Sequence, residues 1–167
     1  MSSLQVFIDH ASVYKYLYDK NAKDLRFKSN TFITIPLMIL NSISSALSFT
    51  DIEWIDIPVG CINLSCVILL GLREIYQFSE KSELNRDAYK KWNKFAVEIL
   101  AHHRGEVTNE IITISKNRYI ELIDESPQIA EHIISSYRKH VLEKVTRDIN
   151  VPDIVDGVPS DLSVPPV

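Results

Sequence analysis

The sequence predicts an all-α protein: a two-transmembrane helical hairpin, an amphipathic helix ahead of it, a helical bundle behind it and an extended proline-rich tail. Three observations carry that expectation. Between Ser29 and Leu72 the charged residues are Asp51, Glu53 and Asp56 alone, while both flanks are densely charged. The flanks place apolar residues at steps of three and four, the spacing of one helix face. From about Asp148 onward the periodicity stops and Pro152, Pro159, Pro165 and Pro166 take over. The segments so defined are residues 1–28, 29–73, 74–147 and 148–167.

In chain order, Leu4 to Phe27 comes first. Phe7, Val13, Tyr14, Leu17, Tyr18 and Leu25 recur at helical spacing, interleaved with Lys15, Lys20, Lys23 and Arg26. Such a helix lies at a membrane interface, with Tyr14 and Tyr18 at headgroup depth, or packs against the other arm. The run SNTFITIPLMILNSISSALSFT, Ser29 to Thr50, has no charge and is long enough to cross a bilayer core as a helix. IPVGCINLSCVILLGL, Ile57 to Leu72, is shorter and reaches a marginal span with Trp54 and Ile55 added. Between them lie three acids and Trp54, a residue suited to a membrane interface, with Pro58 tolerated in the first turn of the next helix.

Cationic residues near span ends stay on the cytoplasmic side. Lys15, Lys20, Lys23, Arg26 and Lys28 precede the hairpin, Arg73, Lys81, Arg86, Lys90, Lys91 and Lys94 follow it, and the connection has none. Both termini are therefore expected on the cytoplasmic side, with Tyr14, Tyr18, Lys28, Trp54 and Arg73 as interface residues. A soluble bundle with the hairpin fully buried is the competing arrangement. A cleaved signal sequence fits poorly, because the apolar run starts late and no small-residue cleavage pattern follows it.

Within the spans, Asn41, Ser44, Ser45 and Ser48 share one side of the first helix, and Gly60, Asn63 and Gly71 one side of the second. Small and amide-bearing residues let transmembrane helices approach and hydrogen-bond. Asn41 and Asn63 lie at similar depth and are expected to meet, within the hairpin or across a homo-oligomer. They serve as glue between helices or, alternatively, line a conduit; no ionisable residue sits deep in either span, which favours glue. Cys61 and Cys66 diverge by about 140° on a helix and read as small apolar fillers.

Beyond the hairpin, Ile75, Phe78, Ser82, Asn85, Tyr89, Trp92, Ala96 and Ile99 form a stripe that carries the second helix out of the membrane. Gly105 is its expected stop. A helix follows from about Asn109 to Asp124. Ser126 and Pro127 read as N-cap and first residue of another, with Ile129, Ile133, Ile134, Tyr137, Val141, Leu142 and Val145 on one face.

At 167 residues, 46% hydrophobic and 24% charged, the chain has an ordinary composition that excludes a disordered or disulfide-stapled class. A net charge of -4 gives no basic face for nucleic acid. No glycine-rich phosphate loop, nucleophile elbow or histidine–carboxylate metal helix occurs. His102 and His103 diverge on a helix, and Glu121, Asp124 and Glu125 read as a solvated face. No catalytic residue, cofactor or metal is expected.

The stretches YKYLYDKNAKDLRFKSN, LNSISSALSF, IPVGCINLSCVILLGLREIYQFSEKSELNRDAYKKWNKFAVEI and NRYIELIDESPQIAEHII, taken in this order over residues 14–138, resemble the SLATT-type two-transmembrane proteins. The likeness is to the versions found in large DNA viruses of eukaryotes. It implies a non-enzymatic virion protein that anchors capsid or scaffold proteins to an internal or host-derived membrane. The bacterial members imply an alternative, a pore-forming membrane effector; a soluble helical adaptor is a third.

Overall fold

The computed structural model describes residues 3–49, 55–103 and 108–144, and most of these are helical with no strand among them. Helix α1 runs Ser3–Ser29, a π-helical turn follows at Asn30–Thr34, and α2 covers Ile35–Leu47. Helices α3 (Asp56–Tyr76), α4 (Phe78–His103), α5 (Asn109–Glu125) and α6 (Glu131–Lys144) follow among the described residues. Trp54, Gly105, Val145 and the proline-rich tail 148–167 lie outside the described residues.

The chain divides into two compact units, and the division differs from the expected segments. One unit joins the described residues up to Ala22 with those from Glu83 onward; the other is Lys23–Ser82. The N-terminal helix up to Ala22 is thus part of the bundle, which is the second of the two placements its sequence allows.

In the first unit α1 is buried on two faces. Leu4, Phe7, Ala11, Tyr14 and Tyr18, at steps of three and four, pack with Ala88, Trp92, Phe95 and Ile99 of α4 and Tyr119 and Leu122 of α5. Val13 and Leu17 face Ile133 of α6, with Ile129, Ala130 and Tyr137 around them. Tyr14 stacks on Trp92 with ring centroids 4.5 Å apart, and Tyr119 and Phe95 meet the same indole edge-on. The α4 seam is Asn85, Ala88, Trp92, Phe95 and Ile99; Ala88 and Phe95 replace neighbours on the expected stripe, while Tyr89 and Ala96 sit at its edge. Asn85, the polar interruption in that stripe, accepts a 2.8 Å bond from Asn21 Nδ2 inside the core. Such a buried amide pair specifies register at some cost in stability, here visible in Asn21 Oδ1, which is buried without a partner.

Thr108 caps α5, its hydroxyl accepting from the Ile111 amide. The link to α6 departs from expectation. Ser126 does not cap a helix at Pro127, because the four residues after it stay out of the helix; its own backbone is extended, as a residue before proline is driven to be. Its hydroxyl instead accepts from Trp92 Nε1 at 3.0 Å. Residues 127–130 stay non-helical, so Ile129 and Ala130 reach the α1–α6 cluster and Pro127 offers its carbonyl to the Tyr18 hydroxyl at 3.0 Å. Lys91 and Glu125 pair at 2.7 Å between α4 and the end of α5; Lys91 holds the Glu125 carboxyl below the usual carboxylate range.

Trp92→Ala removes a fully buried indole and is expected to cost about 3–5 kcal/mol, read as a lowered unfolding midpoint of the bundle in denaturant. Ser126→Ala, which strands the indole N–H, is expected to cost about 1–3 kcal/mol in the same measurement. Burial pushes the Tyr18 phenol above its ordinary value, the Ser126 hydroxyl opposing it in part. Folding therefore favours the neutral phenol: its contribution is complete below about pH 10 and declines as pH rises beyond that. Thermal melts from neutral to strongly alkaline pH should show this decline, weakened in Tyr18→Phe. Tyr137, also raised by burial and by Tyr16, contributes in the same direction.

Candidate membrane-spanning hairpin

The second unit holds the π turn, α2 and α3. The π turn precedes Pro36, which lacks an amide proton and whose ring clashes with the carbonyl four residues back in a regular helix. A wider turn accommodates it, with the Ile35 amide bonding Asn30 O and the Thr34 hydroxyl bonding Ser29 O at 3.3 Å. Between α3 and α4 the Gln77 amide donates to Arg73 O and its carbonyl accepts from the Lys81 amide, yet Gln77 takes left-handed dihedrals (φ 49°, ψ 36°), a cost of about 1–2 kcal/mol for a side chain with a Cβ. The second helix therefore does not leave the hairpin as one unbroken α-helix.

What distinguishes this unit is how little it buries. No residue of α2 is buried, α3 buries Cys66 alone and the π turn Ile33 alone. Phe32, Ile35, Met38, Ile39 and Ile43 on one side and Ile57, Leu64, Val67 and Ile68 on the other are exposed. The described residues contain two helical stretches long and apolar enough to cross a membrane, and only 6% of the most apolar 18-residue window of each is buried. The competing arrangement has these residues enclosed by the rest of the chain, and among the described residues they are exposed.

Hydrogen bonds join the two helices. Ser44 Oγ donates to Asn63 Oδ1 at 3.0 Å, and Cys66 Sγ donates to Asn41 Oδ1 at 3.3 Å. Near the charged end Ser29 Oγ and Ser79 Oγ are 3.1 Å apart. Asn41 and Asn63 thus each engage the facing helix, but through Cys66 and Ser44 rather than through one another.

The other expected contact residues are placed differently. Ser45 is exposed. Ser48 bonds back to Ser44 O of its own helix at 2.8 Å. A Cβ added at Gly60 or Gly71 meets nothing within 4 Å, so neither glycine serves a close approach within the hairpin. Cys66, taken from the sequence as a filler, is the buried partner; its spacing from Asn63 equals that of Asn41 from Ser44, which is the signal an antiparallel pairing leaves in the sequence.

Among the expected interface residues, Tyr14 and Tyr18 belong elsewhere. They are 8% and 4% exposed, enclosed by Trp92 and its neighbours in the bundle, so their rings do not reach a headgroup layer. Lys28 pairs with Asp24 one turn back at 2.7 Å. Arg73 is exposed in the last turn of α3. The described residues hold no group of histidine, cysteine and acidic side chains able to bind a metal. Comparison with protein families, with curated proteins and with solved structures gives no match.

A double-mutant cycle on Ser44→Ala and Asn63→Leu is expected to give each single variant a loss of about 1 kcal/mol in hairpin stability and a coupling of about 0.6–1 kcal/mol. Unfolding in mixed micelles measures it; additive losses would place the two side chains out of contact.

Proposed function

We propose that the protein is a non-enzymatic integral membrane protein whose hairpin anchors the helical bundle to a bilayer, both termini lying on the cytoplasmic side. The observation that carries this is the hairpin's exposed apolar surface: two helices of spanning length that enclose almost none of their own side chains. Water penalises such surface by about 25 cal/mol per Å², and hydrocarbon does not. The flanking cations, Arg26 and Lys28 on one side and Arg73 on the other, fit the orientation.

The bundle is then a platform at the membrane surface. The resemblance to the viral SLATT-type proteins supports capsid or scaffold protein as its partner and a virion-internal or host-derived membrane as its location. The amide side chains that a conduit needs are engaged within the hairpin, which favours anchoring over pore formation.

Flotation with liposomes in urea at neutral pH tests the anchor, without the alkaline conditions that charge Tyr18. The protein is expected at the top of the gradient, and a variant lacking residues 29–73 at the bottom. In sealed vesicles, cysteines placed near each terminus should react with an impermeant maleimide from one and the same side. The capsid role predicts that purified particles contain the protein and lose it when detergent strips their membrane.

A further inference from the structure

The hydrogen bonds between the helices fix a register that the hydropathy of either run conceals. Going from Asn41 to Ser44 on α2 corresponds to going from Cys66 back to Asn63 on α3. In the other direction, the twelve residues from Asn41 down to Ser29 correspond to the thirteen from Cys66 to Ser79. Carried along the hairpin, this pairing sets the π turn Asn30–Thr34 level with Arg73–Gln77.

That layer is not hydrocarbon in character. It contains Asn30, Thr31 and Thr34 from one helix and Arg73, Glu74 and Gln77 from the other. Aromatic rings accompany them: Phe32 and Tyr76 are exposed, and Tyr76 stacks on Phe78 with centroids 5.2 Å apart. Five residues at about 1.5 Å each make it roughly 7 Å deep, the depth of one headgroup region, where aromatic rings concentrate. An arginine stem can lift its guanidinium toward water, but the shorter stem of Glu74 fixes the level.

The first apolar run therefore spends its opening residues in the interface. What remains on α3 is Ile57–Leu72, sixteen residues or about 24 Å, against about 30 Å for an ordinary hydrocarbon core. Tilting only shortens the span further, so a thicker bilayer must thin around it. We propose that the hairpin is built for a thin bilayer: its preferred lipid partner is a membrane of short acyl chains with a core near about 24 Å, met at the charged end by the Arg73–Gln77 and Asn30–Thr34 layer. This rests on the membrane anchor proposed above and specifies its partner.

The test reconstitutes the full chain into phosphatidylcholine vesicles whose hydrocarbon cores run from about 20 Å to about 35 Å. The amount co-floating after a urea wash is expected to peak at the thin end, near 24 Å, and to fall roughly three- to tenfold in the thickest bilayers. Arg73→Leu combined with Glu74→Leu extends the apolar stretch and is expected to move the peak about 5 Å toward thicker bilayers, one helical turn. In a Cys61→Ser, Cys66→Ser background, which keeps a donor for Asn41, Thr31→Cys and Thr34→Cys should react with an impermeant maleimide and Met38→Cys should not. Uniform incorporation at all thicknesses, a peak at ordinary thickness or beyond, or protection of Thr31→Cys overturns the thin-bilayer inference while leaving the anchor in place. Absence of co-flotation with every vesicle overturns both.

Discussion

The described residues of this chain leave the hairpin uncovered. Helices α2 and α3 carry apolar side chains around most of their circumference, and pairing with each other encloses one cysteine and, at the π turn, one isoleucine. No rearrangement of two helices alone can hide such surfaces, because each offers a single strip to its partner. The hydrophobic effect that closes an ordinary core therefore acts here on the surroundings, and an apolar medium satisfies it. Once in such a medium the helices lose hydrophobic attraction for one another, and side-chain hydrogen bonds and packing hold the pair. Ser44, Asn63, Asn41 and Cys66 are the residues present for that task.

The bundle obeys the opposite logic. Its cohesion centres on Trp92, which is enclosed by Tyr14, Phe95 and Tyr119 and has its one polar atom satisfied by Ser126. Residues far apart in the chain meet there: the start of the protein, the outgoing helix, and the turn before the last helix. A ring that large can be buried because its N–H has a partner, and the partner is available because Pro127 keeps Ser126 out of a helix. Local backbone chemistry in one connection thus decides whether the aromatic core closes.

Much of this was legible beforehand, for physical reasons that differ by segment. The charge-free runs announced the pair of apolar helices, since a protein core and a bilayer alike exclude charge over such a length. The steps of three and four announced the outer helices, and α5 begins and ends within a residue of its expected bounds. The faces were harder. Tyr14 and Tyr18 suit an interface and a core equally, and only the neighbouring Trp92 and Tyr119 decide between them. Ser126 followed by Pro127 resembles a helix start, because its competing partner lies on another helix. In the hairpin the small residues suggested glue, yet Gly60 and Gly71 meet nothing and a cysteine takes a share of the bonding. Single-helix periodicity identifies a side but not the depth or partner, and those come from register.

The π turn at Asn30–Thr34 adjusts rotational phase. In a regular helix Ser29 would point about 90° away from the mean direction of Asn41 and Ser44, since each residue advances about 100°. All three nevertheless bond the facing helices of the same unit. One surplus residue in the wide turn supplies a rotation of that size. The segment is accordingly constrained in length more than in composition: swapping one of its side chains alters a contact, whereas an indel of a single codon would turn every downstream side chain of α2 toward the wrong neighbour.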